Sequence, residues 1–232
     1  NSSNDSVYFN IPFGFIHYPF EWIWPMLFLV AALLFTFTFI GLGKHVLRID
    51  AVLKGFLPLF GALITSIIIG VVGWWMLKLI YPDYTTILQG FTYNGHDYIY
   101  AFVALALGIC FLFYQKETSR FTEMNRLFAA IFLWLLINIG IALQLKGAAF
   151  LILPVLGSVL MLGVFVITQQ SKRFWNLLMA VPALLIIVPF ITVFPVGLGL
   201  KMIPGSMALT VLTFSLLLPI FGSFTHKKTW AT

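Results

Sequence analysis

The chain has 232 residues, of which 61% are hydrophobic and only 9% are charged, and its formal net charge is +6. Soluble globular domains carry about 25% charged residues, so this chain has too few charges to cover a surface in water. The composition excludes a soluble enzyme. It also excludes a disordered chain, which would need low hydrophobicity. The mean hydropathy of +1.04 predicts a polytopic membrane protein.

Seven apolar runs are long enough to cross the bilayer as helices, which takes about 20 residues for ~30 Å of hydrocarbon. None of the runs has the alternating pattern of a membrane barrel, so the predicted fold class is all-α. The fourth and fifth runs are separated only by Lys146 and Gly147, which predicts a tight helical hairpin. The predicted spans are 22–42, 55–77, 98–114, 127–145, 148–168, 177–193 and 205–221.

Lys and Arg residues are concentrated on alternate loops of this polytopic bundle. The loops of one side hold ten of them and the loops of the other side hold three. Cytoplasmic loops carry the excess of positive charge, so the N-terminus is predicted outside and the C-terminus inside. The same rule explains the net charge without nucleic acid as a partner. The predicted domains are an exterior juxtamembrane segment 1–21, a seven-span transmembrane domain 22–221 and a truncated cytoplasmic tail 222–232.

The first predicted span has an exterior N-terminal side but no signal peptide before it. We therefore expect that an upstream part of a longer polypeptide carries this side across the membrane, and that it includes a soluble exterior domain. An inherited mature N-terminus is the alternative interpretation.

Catalytic motifs are absent from the sequence. No H-E-x-x-H zinc pair and no G-x-S-G nucleophile setting occurs, and no ionisable residue lies near the middle of a predicted span, where a proton relay would need one. Asp50, Asp83 and Asp97 lie in loops or at span edges, and Asp50 is on the opposite side from the other two. A pair of carboxylates within hydrogen-bond reach is therefore not predicted.

One adjacent pair, His96 and Asp97, resembles metal ligands. Three or four ligands must converge on a zinc ion, and no spacing makes His17 and Asp83 join the pair. Because Asn-Gly is a strong turn signal, we interpret 93–98 as a polar exterior turn. The sequence thus predicts no catalytic, cofactor-binding or metal-binding residue in this chain.

Uncharged polar residues within the predicted spans have two interpretations. Such groups usually hydrogen-bond to backbone or between helices and hold a bundle together, but they could also line a transport path. The residues are Thr36, Thr38, Thr65, Ser66, Asn138, Gln144, Ser158, Thr192, Thr210, Thr213 and Ser215.

Three loop segments carry a resemblance to a known family. They are 5–13, 17–19 and 90–98, which read DSVYFNIPF, HYP and GFTYNGHDY. Together with the span pattern, they resemble the membrane region of the multi-pass zinc metallopeptidases of peptidase family twenty-eight. This group includes vacuolar membrane proteases and endoplasmic reticulum metallopeptidases, and the bacterial relatives from Bacteroidetes look most similar.

The resemblance implies that an exterior aminopeptidase-like domain with two zinc ions precedes the spans. The family's zinc ligands and catalytic carboxylate belong to that domain, so none is carried over to a position here. This chain would be a non-catalytic membrane anchor of the peptidase, with the lipid bilayer and the upstream domain as partners. Its location would be a bacterial inner membrane with a periplasmic N-terminus, or an endomembrane in a eukaryote. The alternatives are a small-molecule or lipid transporter with an uncharged path and a seven-span sensor or receptor module.

Overall fold

A computed structural model describes residues 6–11, 14–85, 90–115, 120–170 and 173–225. Within these residues, a two-stranded β-hairpin precedes a bundle of α-helices, and six helices are long and apolar enough to cross a membrane. The prediction of a helical membrane bundle is confirmed. The elements are β1 Ser6–Ile11, β2 Gly14–Pro19, α1 Ile23–Gly43, α2 Ile49–Ile80, α3 Gly95–Tyr114, α4 Arg120–Gln144, α5 Ile152–Thr168, α6 Arg173–Leu198, α7 Ile203–Leu216 and α8 Leu218–Thr225.

The seventh predicted span, 205–221, is divided between two helices. α7 ends at Leu216, and the N–H of Leu217 is shared between the carbonyls of Thr213 and Phe214. Pro219 explains the break, because it has no N–H for the carbonyl four residues earlier and its ring crowds that carbonyl. The 14 residues of α7 extend about 21 Å at 1.5 Å per residue, which is less than the ~30 Å hydrocarbon thickness. The total of seven spans therefore stays a prediction.

α7 occupies the centre of the bundle and packs against α2, α3, α4 and α6. Every residue from 210 to 218 is buried, although α7 is the shortest helix of this group. Three small residues of α2 at four-residue spacing, Ala62, Ser66 and Gly70, are buried. A Cβ on Gly70 would lie only 2.9 Å from the Cα of Pro204. Small side chains let helix backbones approach closely in membranes, and Gly70 allows α7 to approach α2 at this point.

A proline in α6 is compensated by a serine in α7. Pro195 has no N–H to donate to the carbonyl of Ile191, four residues before it. The buried hydroxyl of Ser206 donates to that carbonyl at 2.8 Å instead. The carbonyl therefore has a partner, as backbone groups inside a bilayer require, and the bond ties α7 to α6.

This arrangement predicts a double-mutant result. Ser206→Ala should destabilise the bundle by about 0.6 kcal/mol, the average measured for hydrogen bonds between membrane helices, and by about 1.7 kcal/mol at most. In a Pro195→Ala background, the N–H of the alanine can donate to the Ile191 carbonyl. Ser206→Ala should then lower the stability much less. Thermal unfolding of the four proteins measures the coupling. Equal costs of Ser206→Ala in the two backgrounds would show that the proline does not create the need for the serine.

The bundle has two ends of different composition. We call the end formed by 6–11, 14–22, 80–85, 90–95, 145–151 and 198–203 the hairpin face. We call the end formed by 43–54, 114–115, 120–126, 168–170 and 217–225 the basic face. On the basic face, the ammonium of Lys44 lies 3.4 Å from each of two carbonyl oxygens, those of Val166 and Ile167. A cation there is favourable because the last carbonyls of α5 carry the negative end of the helix dipole.

Candidate functional site

The hairpin is attached to the bundle through one of its two surfaces. Val7 and Phe9 on β1 are buried, and the Phe9 ring stacks on Phe150 at 5.4 Å between centroids. Phe150 belongs to the 3-10 turn Lys146–Leu151 between α4 and α5. Successive strand residues point to opposite sides, so the residues between Val7 and Phe9 face away from the bundle. The hairpin is therefore a fixed part of this end of the molecule.

The outward surface of the hairpin is aromatic. Tyr8 pairs with His17 across the strands, and its ring lies 5.6 Å from Phe15 and 6.0 Å from His17 between centroids. Phe15 is 59% exposed and Trp22, which follows the hairpin, is 57% exposed. Aromatic rings are enriched in protein interfaces and at the level of lipid headgroups. This surface is suited to either environment.

A cavity of about 550 Å³ opens beside the hairpin and is lined by Ser6, Tyr8, His17, Tyr18, Pro19 and Trp22. The hydroxyl oxygen of Tyr18 is buried and has no hydrogen-bond partner among the described residues. Burial raises the pKa of Tyr18 from 10.0 to about 12, because the charged phenolate is poorly solvated there.

The shift of the Tyr18 pKa predicts how alkali acts on the hairpin. The folded-state pKa lies above the unfolded value, so ionisation of Tyr18 costs the fold nothing below pH 10 and destabilises it increasingly as the pH rises from 10 towards 12. The difference in tyrosinate absorbance between the wild type and Tyr18→Phe should titrate near pH 12. Tyr18→Phe should leave stability unchanged or raise it, since an unpaired buried hydroxyl costs about 1–3 kcal/mol. A midpoint near pH 10, the ordinary tyrosine value, would contradict this account.

Tyrosine rings also organise the connection between α2 and α3. Tyr84 stacks on Tyr81 at 5.1 Å and on Trp74 at 6.4 Å between centroids. Its hydroxyl lies 3.1 Å from the hydroxyl of Tyr98. These contacts hold the end of α2 against the start of α3. The rings are apolar and their hydroxyl tips are polar, as in aromatic residues at membrane interfaces.

The segment 90–95 is held against the turn between α6 and α7. The N–H of Leu200 donates to the carbonyl of Gly90 at 2.8 Å. Gly90 and Gly199 both have positive φ, which glycine adopts at little cost. A turn lies at the start of the predicted 93–98 segment, where the N–H of Gly95 donates to the carbonyl of Thr92 at 3.0 Å. The rest of that prediction is wrong, because α3 begins at Gly95 and 95–98 are helical. The turn leaves the side chain of Tyr93 fully exposed.

The two histidines weighed as metal ligands lie in different aromatic clusters. His96 meets the Phe91 ring edge to face at 5.2 Å between centroids, whereas His17 lies in the hairpin stack. Asp83 and Asp97 lie at the hairpin face, and Asp50 is paired with Arg48 at the basic face at 3.2 Å. In the described part of the chain, no group of three or more His, Cys, Asp and Glu side chains gathers as a metal site would require.

A buried polar cluster lies at the basic face. The guanidinium of Arg126 lies over the ring of Tyr114, with Cζ 5.6 Å from the ring centroid. The Tyr114 hydroxyl and the Ser215 hydroxyl are 3.0 Å apart. Arg126 lies directly before the predicted span 127–145. The structure turns it onto a fully buried tyrosine, and so joins α3, α4 and α7.

The start of α4 explains why this cluster was missed. The helix begins at Arg120, seven residues before the apolar run at 127, and Glu123 and Asn125 in this first part are buried. The Asn125 side-chain oxygen accepts the N–H of Arg48 at 3.0 Å, next to the start of α2. A Cβ on Gly55 of α2 would lie 3.0 Å from the Cα of Arg126. Gly55 was the signal in the sequence, because a residue without a side chain lets the polar start of α4 approach α2 closely.

Most of the polar side chains considered for a transport path bond to their own helices. The hydroxyls of Thr36, Thr38, Ser158, Thr210, Thr213 and Ser215 each donate to the carbonyl four residues earlier. Asn138 donates to the carbonyl of Trp134 at 2.9 Å. These groups are engaged in backbone bonds, which is their usual role in membrane helices.

The hairpin face offers an aromatic and polar surface that contacts the bundle directly, and the basic face holds a buried polar cluster between helices. The described contacts supply positioning and attachment, and they bring together no nucleophile with a general base. No protein-family model, curated protein or solved structure matches the chain.

Proposed function

We propose that the chain is a non-catalytic membrane domain that anchors an aqueous-phase domain and positions it on the hairpin face. The observation that carries the proposal is that two elements of this face are tied to the bundle by direct contacts. The hairpin is attached by Phe9 to Phe150, and the segment 90–95 is attached by Gly90 to Leu200. Exposed rings project from these two attached elements. Because the elements are already held in place, they lose little conformational entropy when another domain docks on them.

The hairpin face is assigned to the exterior side in this proposal. Ten of the thirteen Lys and Arg residues belong to loops and ends on the other side, and cytoplasmic loops carry such an excess. The segments 5–13, 17–19 and 90–98 resemble the family twenty-eight zinc metallopeptidases. On this basis we propose that the anchored domain is a zinc metallopeptidase domain. The described residues 6–11 and 17–19 of the first two segments belong to the hairpin, and the third segment contains the exposed turn and the start of α3.

A transporter with an uncharged path is the second candidate. The polar side chains that would line such a path are mostly bonded to carbonyls of their own helices. A path would have to break these bonds or use the few remaining polar groups. The anchoring role needs no such rearrangement, so we favour it.

The sequence of the parent gene upstream of the Asn1 codon tests the class of the anchored domain. The proposal expects an in-frame exterior domain with paired His, Asp and Glu zinc ligands. A start codon next to Asn1, or an unrelated upstream domain, would remove the peptidase assignment.

Docking on the hairpin face is tested in the full-length protein. Tyr93→Ala removes a fully exposed ring and should leave the bundle's thermal unfolding unchanged, while it increases cleavage by an added protease between the anchored domain and the spans. Gln169→Ala, an exposed residue at the basic face, is the matched control and should change neither. Equal cleavage of the two variants would contradict docking at this turn.

A further inference from the structure

An apolar groove runs between α5 and α6 on the outside of the bundle. Its volume is about 290 Å³, and apolar residues occupy every lining position. This volume is near the lower end of the ~300–1,000 Å³ range of small-molecule sites. The groove extends along two helices that are long and apolar enough to cross a membrane, so its surroundings are the hydrocarbon of the bilayer.

The groove exists because the two backbones meet at a glycine. Gly157 of α5 packs against the Met179 carbonyl of α6, and a Cβ there would collide with that oxygen. Larger side chains on either side of this contact, among them Leu156, Leu160 and Val181, rise above it and form a concave surface. No side chain of the described residues fills the space, and a void lined by apolar atoms loses their dispersion contacts.

The groove is continuous with the lipid-facing surface of α6. Leu178, Val181 and Leu185 line the groove, and they are 46%, 38% and 37% exposed. At the hairpin face, Phe9 closes the groove. This ring comes from β1, outside the spans, so a chain lying in the groove ends beneath the hairpin.

We propose that this groove binds one acyl chain of a membrane phospholipid as a resident ligand. A flexible hydrocarbon chain matches a groove whose lining is almost entirely apolar, whereas a polar substrate would leave its hydrogen-bonding groups unpaired. Since Phe9 belongs to both the groove and the hairpin attachment, the bound chain also supports the hairpin from below. This site is separate from the anchoring role and does not depend on it.

Photocrosslinking in lipid nanodiscs tests the site. The probe is a phosphatidylcholine with a diazirine in the middle of one acyl chain, and adducts are mapped by peptide mass spectrometry. Adducts should concentrate on 153–160 and 178–186. They should be lost in Val181→Trp, which fills the groove. They should persist in Leu184→Trp, a control on the same helix whose parent residue is equally exposed at 38% but does not line the groove.

Two results of this crosslinking experiment would overturn the proposal. One is an even spread of adducts over the exposed surfaces of α1 and α2 as well, which is the behaviour of exchanging surface lipid. The other is an equal response of the two tryptophan variants. A measurement on the wild type needs no variant: native mass spectrometry after detergent extraction should show one retained phospholipid per chain. Lipid-free protein, or a dimer sealed through this groove, would refute the site.

Discussion

Replacing Gly157 by alanine is expected to destabilise the bundle by about 1–3 kcal/mol, the cost of overpacking a close contact. The new Cβ would collide with the backbone carbonyl of Met179, and a backbone atom cannot rotate away as a flexible side chain can. α5 and α6 must therefore separate along their contact. The measurement is thermal unfolding of the purified protein in detergent.

Gly140→Ala is the matched control for this prediction. Gly140 also lies inside a helix, α4, but a Cβ there would meet no atom within 4 Å. Alanine should be neutral or stabilise α4 by up to about 1 kcal/mol through its helix propensity. If both substitutions changed the unfolding temperature in the same direction by similar amounts, the result would contradict the close packing of α5 on α6 at Gly157.

Trp134→Ala is expected to cost about 3–5 kcal/mol, the range for deleting a large buried ring. Trp134 is fully buried, and its indole N–H donates to the Leu212 carbonyl of α7 at 3.2 Å. The substitution removes both the packing of α4 on the central helix and this bond. Trp134→Phe keeps much of the ring volume and should cost markedly less.

The control for the tryptophan series is Trp75→Ala. Trp75 is 56% exposed on α2, and substitutions at exposed positions are usually within ±0.5 kcal/mol. Thermal unfolding of the three variants and the wild type gives the order of their stabilities. An equal loss of stability at Trp134 and Trp75 would contradict the central position of α7 and its contact with α4.

Sequence reasoning located the helices because membrane spans leave a strong and simple signal. A run of about 20 apolar residues is needed wherever a helix crosses hydrocarbon, and six of the predicted runs lie in helices long and apolar enough to do so. The break within the seventh run was not predicted, because composition alone does not show where a helix ends. Pro219 was a possible signal, but membrane helices often tolerate proline, as Pro195 in α6 shows.

The hairpin and the polar cluster were not predicted, for two different reasons. Along β1 and β2 the inward Val7 and outward Tyr8 are both apolar or aromatic, so the alternation that identifies a half-buried strand is weak. Glu123 and Asn125 read as loop residues because burial of polar groups depends on partners from other helices. The Asn-Gly turn was predictable because its signal is local.

The sidedness of the two faces is the most direct test of the anchoring account. Phe15→Cys at the hairpin face and Gln169→Cys at the basic face, each in a Cys110→Ala background, are exposed to a membrane-impermeant maleimide in intact cells. The account predicts that Phe15→Cys is labelled at once and Gln169→Cys only after the membrane is opened. Labelling of both from the same side, or of Gln169→Cys alone in intact cells, would contradict an anchor that presents the hairpin face to the exterior.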